Sequence, residues 1–261
     1  MNYTKLFSVE GKKVVVTGGC GYLGREIVKG FAENGANVYV LDYNVSNTIN
    51  VPDKIGKHIH YLKCDLSETT SIKQALEEAS GEERRIHSLV TMAANMGAGV
   101  MSTVENMDDA FWQKGIDGTI GFTFRTIREA IPYMKNCDAT IINIGSLYAV
   151  GAPDPRTYFD TPFNSVPNYG AGKAATVELT KYCASYLAKY GIRCNCVSPG
   201  SFPHENVQQN QLFKDRLEDK TMLGRIGYPE DLVGAMIFLS SAASQYITGV
   251  NIMVDGGQTA W

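Results

Sequence analysis

Residues 14–31 read VVVTGGCGYLGREIVKGF. The stretch reads as a strand over Lys13–Val16, a glycine turn, and then a helix over Gly21–Asn34. Gly18, Gly21 and Gly24 follow the strand directly, and Gly19 adds another residue without a Cβ. Such glycines permit a tight turn and let backbone N–H groups approach a pyrophosphate at a helix N-terminus. A plain glycine-rich turn would give the same local pattern, so the reading depends on what lies further out.

Outward from this turn, short apolar runs alternate with longer amphipathic segments. Strands are expected at Lys13–Val16, Asn37–Leu41, Ile59–Lys63, Ser88–Thr91, Ala139–Ile144, Arg193–Val197 and Asn251–Val254. Helices are expected near Gly21–Asn34, Thr69–Glu78, Met107–Met134, Asn168–Tyr190 and Pro229–Ser240. In the last, Pro229 suits the first turn, and Glu230 and Asp231 suit its positive end. No repeat or Pro/Ser linker divides the chain, so residues 1–261 are read as one domain. Strands alternating with helices imply an α/β fold, a doubly wound parallel sheet of about seven strands with its ligand crevice beyond the strands' carboxyl ends.

Asp42 ends the second expected strand, 18 residues after Gly24, where a carboxylate would bond the adenosine ribose hydroxyls. It would repel the extra phosphate of NADP. No cation follows in Tyr43–Asn44–Val45, and Cys20 leaves the glycine loop without one. NAD is therefore the expected cofactor; the alternative makes Asp42 a solvated turn residue. Asp65, after the third strand, is placed either to contact the adenine amino group or to serve as a helix N-cap or turn residue.

The bulk numbers narrow the class. Hydrophobic residues make up 44% and charged residues 20% of the chain, enough for a sizeable core. A net charge of -3 with no Lys/Arg cluster argues against nucleic-acid or anionic-membrane partners. No apolar run approaches bilayer length, and MNYTKLFSVEGKK carries neither an apolar signal core nor a cleavage site. The six cysteines show no CxxC pair. Cys194 and Cys196 alternate on a strand, so both are expected on one side as small core residues. Reduced thiols, no metal site and a cytoplasmic location are the expectations.

The segment NYGAGKAATVELTKYCASYLAKYGIRCNCVSPG places Tyr169 and Lys173 four residues apart on a helix, so phenol and ammonium share a face. An ordinary tyrosine titrates near pH ~10, and a neighbouring ammonium favours the phenolate. Alone, such a spacing also fits a surface or half-buried pair. Tyr169–Gly170–Ala171–Gly172–Lys173, preceded by Ile142–Asn143–Ile144–Gly145–Ser146, resembles the active-site pattern of the short-chain dehydrogenase/reductase family. Val197–Ser198–Pro199–Gly200, Tyr246–Ile247–Thr248–Gly249 and Val254–Asp255–Gly256–Gly257 extend the resemblance over essentially the whole chain.

The resemblance implies three roles. Tyr169 would be the general acid/base, Lys173 would bind the nicotinamide ribose and lower the Tyr169 pKa, and Ser146 would hydrogen-bond the substrate oxygen. The Pro199–Gly200 turn would lie against the nicotinamide ring. With the residue-level reading, the expected cofactor cradle comprises Gly18, Cys20, Gly21, Tyr22, Leu23, Gly24, Asp42, Tyr43, Cys64, Asp65, Leu66, Ala93, Ala94, Asn95, Tyr169, Lys173, Pro199, Gly200 and Phe202.

The chain departs from the family in four places. Tyr22 stands where short members carry a glycine, which gives a spacing like that of the longer sugar-nucleotide-modifying branch. Thr91–Met92–Ala93–Ala94 replaces Asn-Asn-Ala-Gly. The catalytic asparagine expected near Gly118 or Thr119 is missing, which puts its water-linked proton relay in doubt; Thr119 is a candidate to hold that water. Ser146 and Tyr169 lie 23 residues apart, about ten more than the family's usual spacing.

The inserted segment, about 148–167, is expected to form a rim over the substrate pocket, with Tyr148, Arg156, Tyr158 and Phe159 as contacts; the alternative is a surface excursion. Residues 201–221 occupy the family's lid position. Their first half, SFPHENVQQNQ, is rich in amides with His204 and Glu205, which suits a sugar, polyol or sugar acid or reflects a solvated lid. The VDGGQTAW ending resembles the segment through which members pair, and a homodimer or homotetramer is expected. The leading function is NAD(H)-dependent interconversion of a secondary alcohol and a ketone on such a small molecule. The alternatives are a redox-neutral NAD-dependent epimerase or dehydratase and a non-catalytic cofactor-binding scaffold.

Overall fold

The structure, a computed structural model, describes residues 3–96 and 102–261. Seven strands run in one parallel sheet: β1 (Lys13–Thr17), β2 (Asn37–Asp42), β3 (Ile59–Lys63), β4 (Ser88–Thr91), β5 (Thr140–Ile144), β6 (Arg193–Pro199) and β7 (Asn251–Val254), in spatial order β3-β2-β1-β4-β5-β6-β7. All lie within two residues of the expected bounds. The order reverses between β1 and β4. Their carboxyl ends therefore part to leave the crevice that this topology uses for ligands.

The helices are α1 (Tyr22–Glu33), α2 (Asp53–Gly56), α3 (Thr69–Ser80), α4 (Asp109–Ile116), α5 (Phe122–Met134), α6 (Pro167–Leu187), α7 (Glu205–Gln208), α8 (Gln211–Glu218) and α9 (Val233–Ser240). Alternation along β1 separates the two cores: Val15 joins Ile72, Leu76, Ile127 and Met134 on one face. Val14 and Val16 join Ile27, Phe31, Met236 and Leu239 on the other. Full burial of each large side chain in α1, such as Ile27 and Phe31, contributes about 1.5–3 kcal/mol.

Two expectations are corrected. The single helix expected over Met107–Met134 is interrupted by a π-helical turn at Asp117–Gly121, where Gly118 must pass close to Asn95. The helix expected from Pro229 opens as a 3₁₀ turn, Pro229–Leu232, before α9. Residues 201–221 contain two short helices, α7 and α8. Cys194 and Cys196 are fully buried in β6, as expected of small core residues, and all six thiols are free. Among the described residues no helix is long and apolar enough to cross a membrane, and no cluster of metal-ligating side chains occurs.

Candidate active site

A cavity of about 770 Å³ opens at the carboxyl ends of β1, β2, β3 and β4. Its lining includes Gly18, Cys20, Gly21, Tyr22, Leu23, Gly24, Asp42, Tyr43, Cys64, Asp65, Leu66, Ala93, Ala94 and Asn95. Gly18 has φ +69°, and a Cβ there would lie 2.8 Å from Ala93 Cα. A Cβ on Gly24 would lie 2.5 Å from the Gly18 carbonyl oxygen. The turn therefore requires glycine for both its backbone and its close approach. The start of α1 has no capping side chain and no acid in its first turn, so its N–H groups and positive end suit a phosphate.

Asp42 spans the lip of this cavity. Its Oδ2 accepts from the Cys20 N–H at 3.1 Å and its Oδ1 from the Asn44 N–H at 3.1 Å. Burial and the Asp42 carboxylate push the Cys20 thiol up to about 11, so it stays a thiol. Asp65 forms a turn: Oδ1 accepts from the Ser67 N–H at 2.9 Å and its hydroxyl at 2.6 Å, bonds that hold the carboxyl below the usual range. Arg25 of α1 donates to Asn47 Oδ1 at 3.0 Å and to the Thr48 carbonyl at 3.1 Å, and Asn47 itself lines the cavity. These shapes and donors fit a dinucleotide. Sequence reading missed the opposite wall, Lys114, Asp117, Gly118 and Phe122, because it is set by where α4 gives way to α5. Asn44, Asn47, Ser67 and Met92 were also missed.

Ser146, Tyr169 and Lys173 come together beyond β5. Ser146 is 5% exposed and caps a 3₁₀ turn, Leu147–Ala149, its Oγ accepting from the Tyr148 N–H at 3.1 Å. Pro167 starts α6, preset for a first helical turn, and Tyr169 and Lys173 lie one turn apart on it. Lys173 Nζ lies 5.8 Å from the Tyr169 ring centroid and donates to the Ile144 carbonyl at 2.7 Å. Burial pushes its ammonium down to about 8, while Cys196 acts the other way. Burial raises the Tyr169 phenol, a hydrogen bond with Ser146 lowers it, and Tyr158 raises it.

The missing asparagine has a steric counterpart. A Cβ on Gly118 would lie 1.8 Å from the Asn95 carbonyl oxygen, and Asn95 N–H donates to the Gly118 carbonyl at 2.9 Å. Thr119 is buried, and its hydroxyl donates to its own helix at the Gly115 carbonyl, 2.8 Å away.

The other expected contact residues take the following places. Phe202 packs its ring over Gly227 and lines a separate small cavity, so its side chain is directed away from the dinucleotide cleft. Gly200 runs against Asp255, where a Cβ would be 2.5 Å from the Asp255 Cα, and the Gly200 N–H donates to the Val254 carbonyl at 2.9 Å. Pro199, just before it, is the last residue of β6. Arg156 points outward, paired with Asp154 at 2.9 Å with 82% of its side chain exposed, and Phe159 is likewise exposed. The His204 ring lies 4.6 Å from that of Tyr22, tilted by 38°, and Gln208 donates to the Tyr22 hydroxyl at 3.3 Å. Tyr148 and Tyr158 share a hydroxyl–hydroxyl hydrogen bond that the sequence did not announce. Tyr148 also lines a second cavity of about 580 Å³ bounded by residues 147–157, α8 and the C-terminal residues, including Asp154, Lys220, Asn251 and Gln258.

Comparison with known proteins agrees with this geometry. A sequence model of the family described as enoyl-(acyl carrier protein) reductase matches residues 22–259. A 3-oxoacyl-[acyl-carrier-protein] reductase of Chlamydia pneumoniae is 30% identical, covering 95% of this chain and 97% of its own. A short-chain dehydrogenase of Leptospira borgpetersenii, solved with bound NAD+, superposes with a TM-score of 0.86 at 31% identity, covering 99% of this chain and 96% of its own. A gluconate 5-dehydrogenase of Burkholderia cenocepacia, solved with NADP and tartrate, has a TM-score of 0.84 at 25% identity and covers all of both chains.

Proposed function

Since this chain belongs to the short-chain dehydrogenase/reductase family, we propose that it interconverts a secondary alcohol and a ketone with NAD(H), on a polyhydroxylated small molecule. One observation carries the reading: Ser146, Tyr169 and Lys173 gather at the end of β5, and the glycine cleft opens on the same rim of the sheet. The cofactor, when bound, supplies the hydride acceptor or donor at its nicotinamide. Ser146 Oγ holds the substrate oxygen, and Tyr169 Oη takes its proton in oxidation or returns it in reduction. Lys173 presents a buried cation to the nicotinamide ribose and to the Tyr169 phenol.

Asp42 at the cleft lip supports NAD over NADP. The amide-rich stretch SFPHENVQQNQ at residues 201–211 supports a sugar, polyol or sugar acid. An assembly of two or four copies is part of the same reading. The stacked, exposed pair Tyr182 and Tyr186 on α6 and the outer edge of β7 support it. Sedimentation giving only the 28.5 kDa monomer would overturn that part.

The deciding experiment is turnover of purified protein with NAD or NADP on sugars, polyols, sugar acids, acyl ketones and simple alcohols. We expect NAD-linked oxidation of a polyhydroxylated substrate, lowered about 10²–10⁴-fold in Tyr169→Phe. Product formation without net NADH would replace this reading with redox-neutral epimerase or dehydratase chemistry. Full activity in Tyr169→Phe would remove the assigned proton carrier.

A further inference from the structure

The segment between Ser146 and Tyr169 leaves the catalytic strand and returns to the catalytic helix, and on the way it packs against the lid. The Tyr158 ring lies 5.6 Å from Phe213 of α8, and Phe163 lies 4.7 Å from the same ring. With Val207, Leu217 and Ile226 they form an apolar cluster separate from both faces of the sheet. Polar contacts border it. Arg216 of α8 donates to the carbonyls of Thr157 and Phe159, and Lys220 pairs with Asp154 at 2.6 Å.

Tyr158 is the residue at which this docking meets the reaction site. Its ring belongs to the lid cluster, while its hydroxyl bonds that of Tyr148. The Tyr148 N–H in turn donates to Ser146 Oγ at 3.1 Å. A contact path therefore runs from Phe213 through the Tyr158 ring and hydroxyl, then through Tyr148 to Ser146. Both tyrosines are half-buried, and burial pushes both phenols up, so each stays neutral and able to donate. A buried hydroxyl is costly without a partner, so the Tyr148 ring is held where Tyr158 presents its own.

We propose that Tyr158 is a positioning residue that couples the seating of the lid helix α8 to the placement of Ser146, acting through Tyr148. The proposal rests on the reading that Ser146 holds the substrate oxygen. The insertion thereby acquires a role. When α8 leaves, the ring contacts that fix Tyr158 leave with it, and the Ser146 wall loosens. Closure over a substrate then restores that wall. The reaction site is complete only under a seated lid.

Two variants separate the links. Tyr158→Phe keeps the ring on Phe213 and removes the bond to Tyr148; Phe213→Leu keeps apolar volume and removes the ring contact. Hydrogen exchange is read over residues 147–150 and 205–218, with NADH affinity followed by fluorescence and kcat measured on the best substrate found. In Tyr158→Phe we expect exchange at 147–150 to rise about tenfold while 205–218 keeps its protection. Its kcat should fall about tenfold with NADH affinity unchanged, and adding Tyr148→Phe should lower kcat no further, because both remove one bond. Phe213→Leu should raise exchange in both segments. Exchange rising only over 205–218 in Phe213→Leu would overturn the proposal, as would unchanged exchange at 147–150 in Tyr158→Phe or additive losses in the double variant. Should no substrate be turned over, the exchange measurements still decide the link, independently of the proposed activity.

Discussion

The oxygens of Asp42 do two jobs at the lip of the cleft: each fixes a backbone N–H, of Cys20 or Asn44, and their outer lone pairs face the cavity. A ribose diol can share those lone pairs, while a ribose phosphate would meet the same charge. Asp42→Ala should therefore narrow the preference for NADH over NADPH by about 10–100-fold, the worth of a charge-assisted bond. Fluorescence titration of both cofactors checks it, and an unchanged ratio would refute the assignment. Tyr169 gives a second expectation at this scale. Burial raises its phenol above the ordinary value, so phenolate is the minor form near neutrality. Oxidation consumes phenolate, so its kcat/KM should climb with pH, about tenfold per pH unit at first. Lys173, pushed down to about 8, loses its ammonium above that point, and the climb should flatten there. Reduction consumes the phenol and should stay level through neutrality. Profiles in both directions test this; an oxidation rate independent of pH between about 6 and 8 would exclude Tyr169 as the base.

Elements differ in how openly the sequence declares them. The inner strands β1, β4 and β5 were legible because each is a short, largely apolar run, and a parallel sheet buries both faces of such runs. The proximity of Tyr169 and Lys173 was legible because one helical turn links them. Helix α8 was not, because only Phe213 and Leu217 in QLFKDRLE are buried, and their partners Tyr158 and Phe163 lie far back in the chain. The π-helical turn at Asp117–Gly121 was equally silent, since it answers to a tertiary contact, the approach of Asn95 to Gly118. That contact carries a prediction. Gly118→Asn restores the family's asparagine in sequence, yet its Cβ would overlap the Asn95 carbonyl oxygen at 1.8 Å. The variant should lose about 1–3 kcal/mol of stability by overpacking and gain no kcat. A stable, faster Gly118→Asn enzyme in denaturant titration and turnover would show that the turn accommodates the side chain.

The whole molecule divides its charges between the two rims of the sheet. At the amino ends of the strands, cations meet helix C-termini: Lys13 Nζ donates to the Ser80 carbonyl at 2.7 Å, Lys12 Nζ to Ser240 at 2.6 Å, and Arg193 to Leu239 at 2.9 Å. Those bonds satisfy carbonyls that a helix end leaves orphaned and oppose its negative pole. At the carboxyl ends the polarity is reversed, and the uncapped start of α1 faces the cavity with its N–H groups. An anion bound there completes the arrangement only in the folded chain, so it must stabilise the fold by linkage. NAD at about 100 times its dissociation constant should add roughly 2.7 kcal/mol. For a chain of this size that corresponds to about 5–10 °C in Tm. NADP at the same concentration should add much less, because Asp42 guards the ribose end. Thermal unfolding with each cofactor reads this without any substrate. Equal shifts would overturn the Asp42 argument while leaving the cleft in place, and no shift with either would show that the glycine turn and α1 do not form a dinucleotide site.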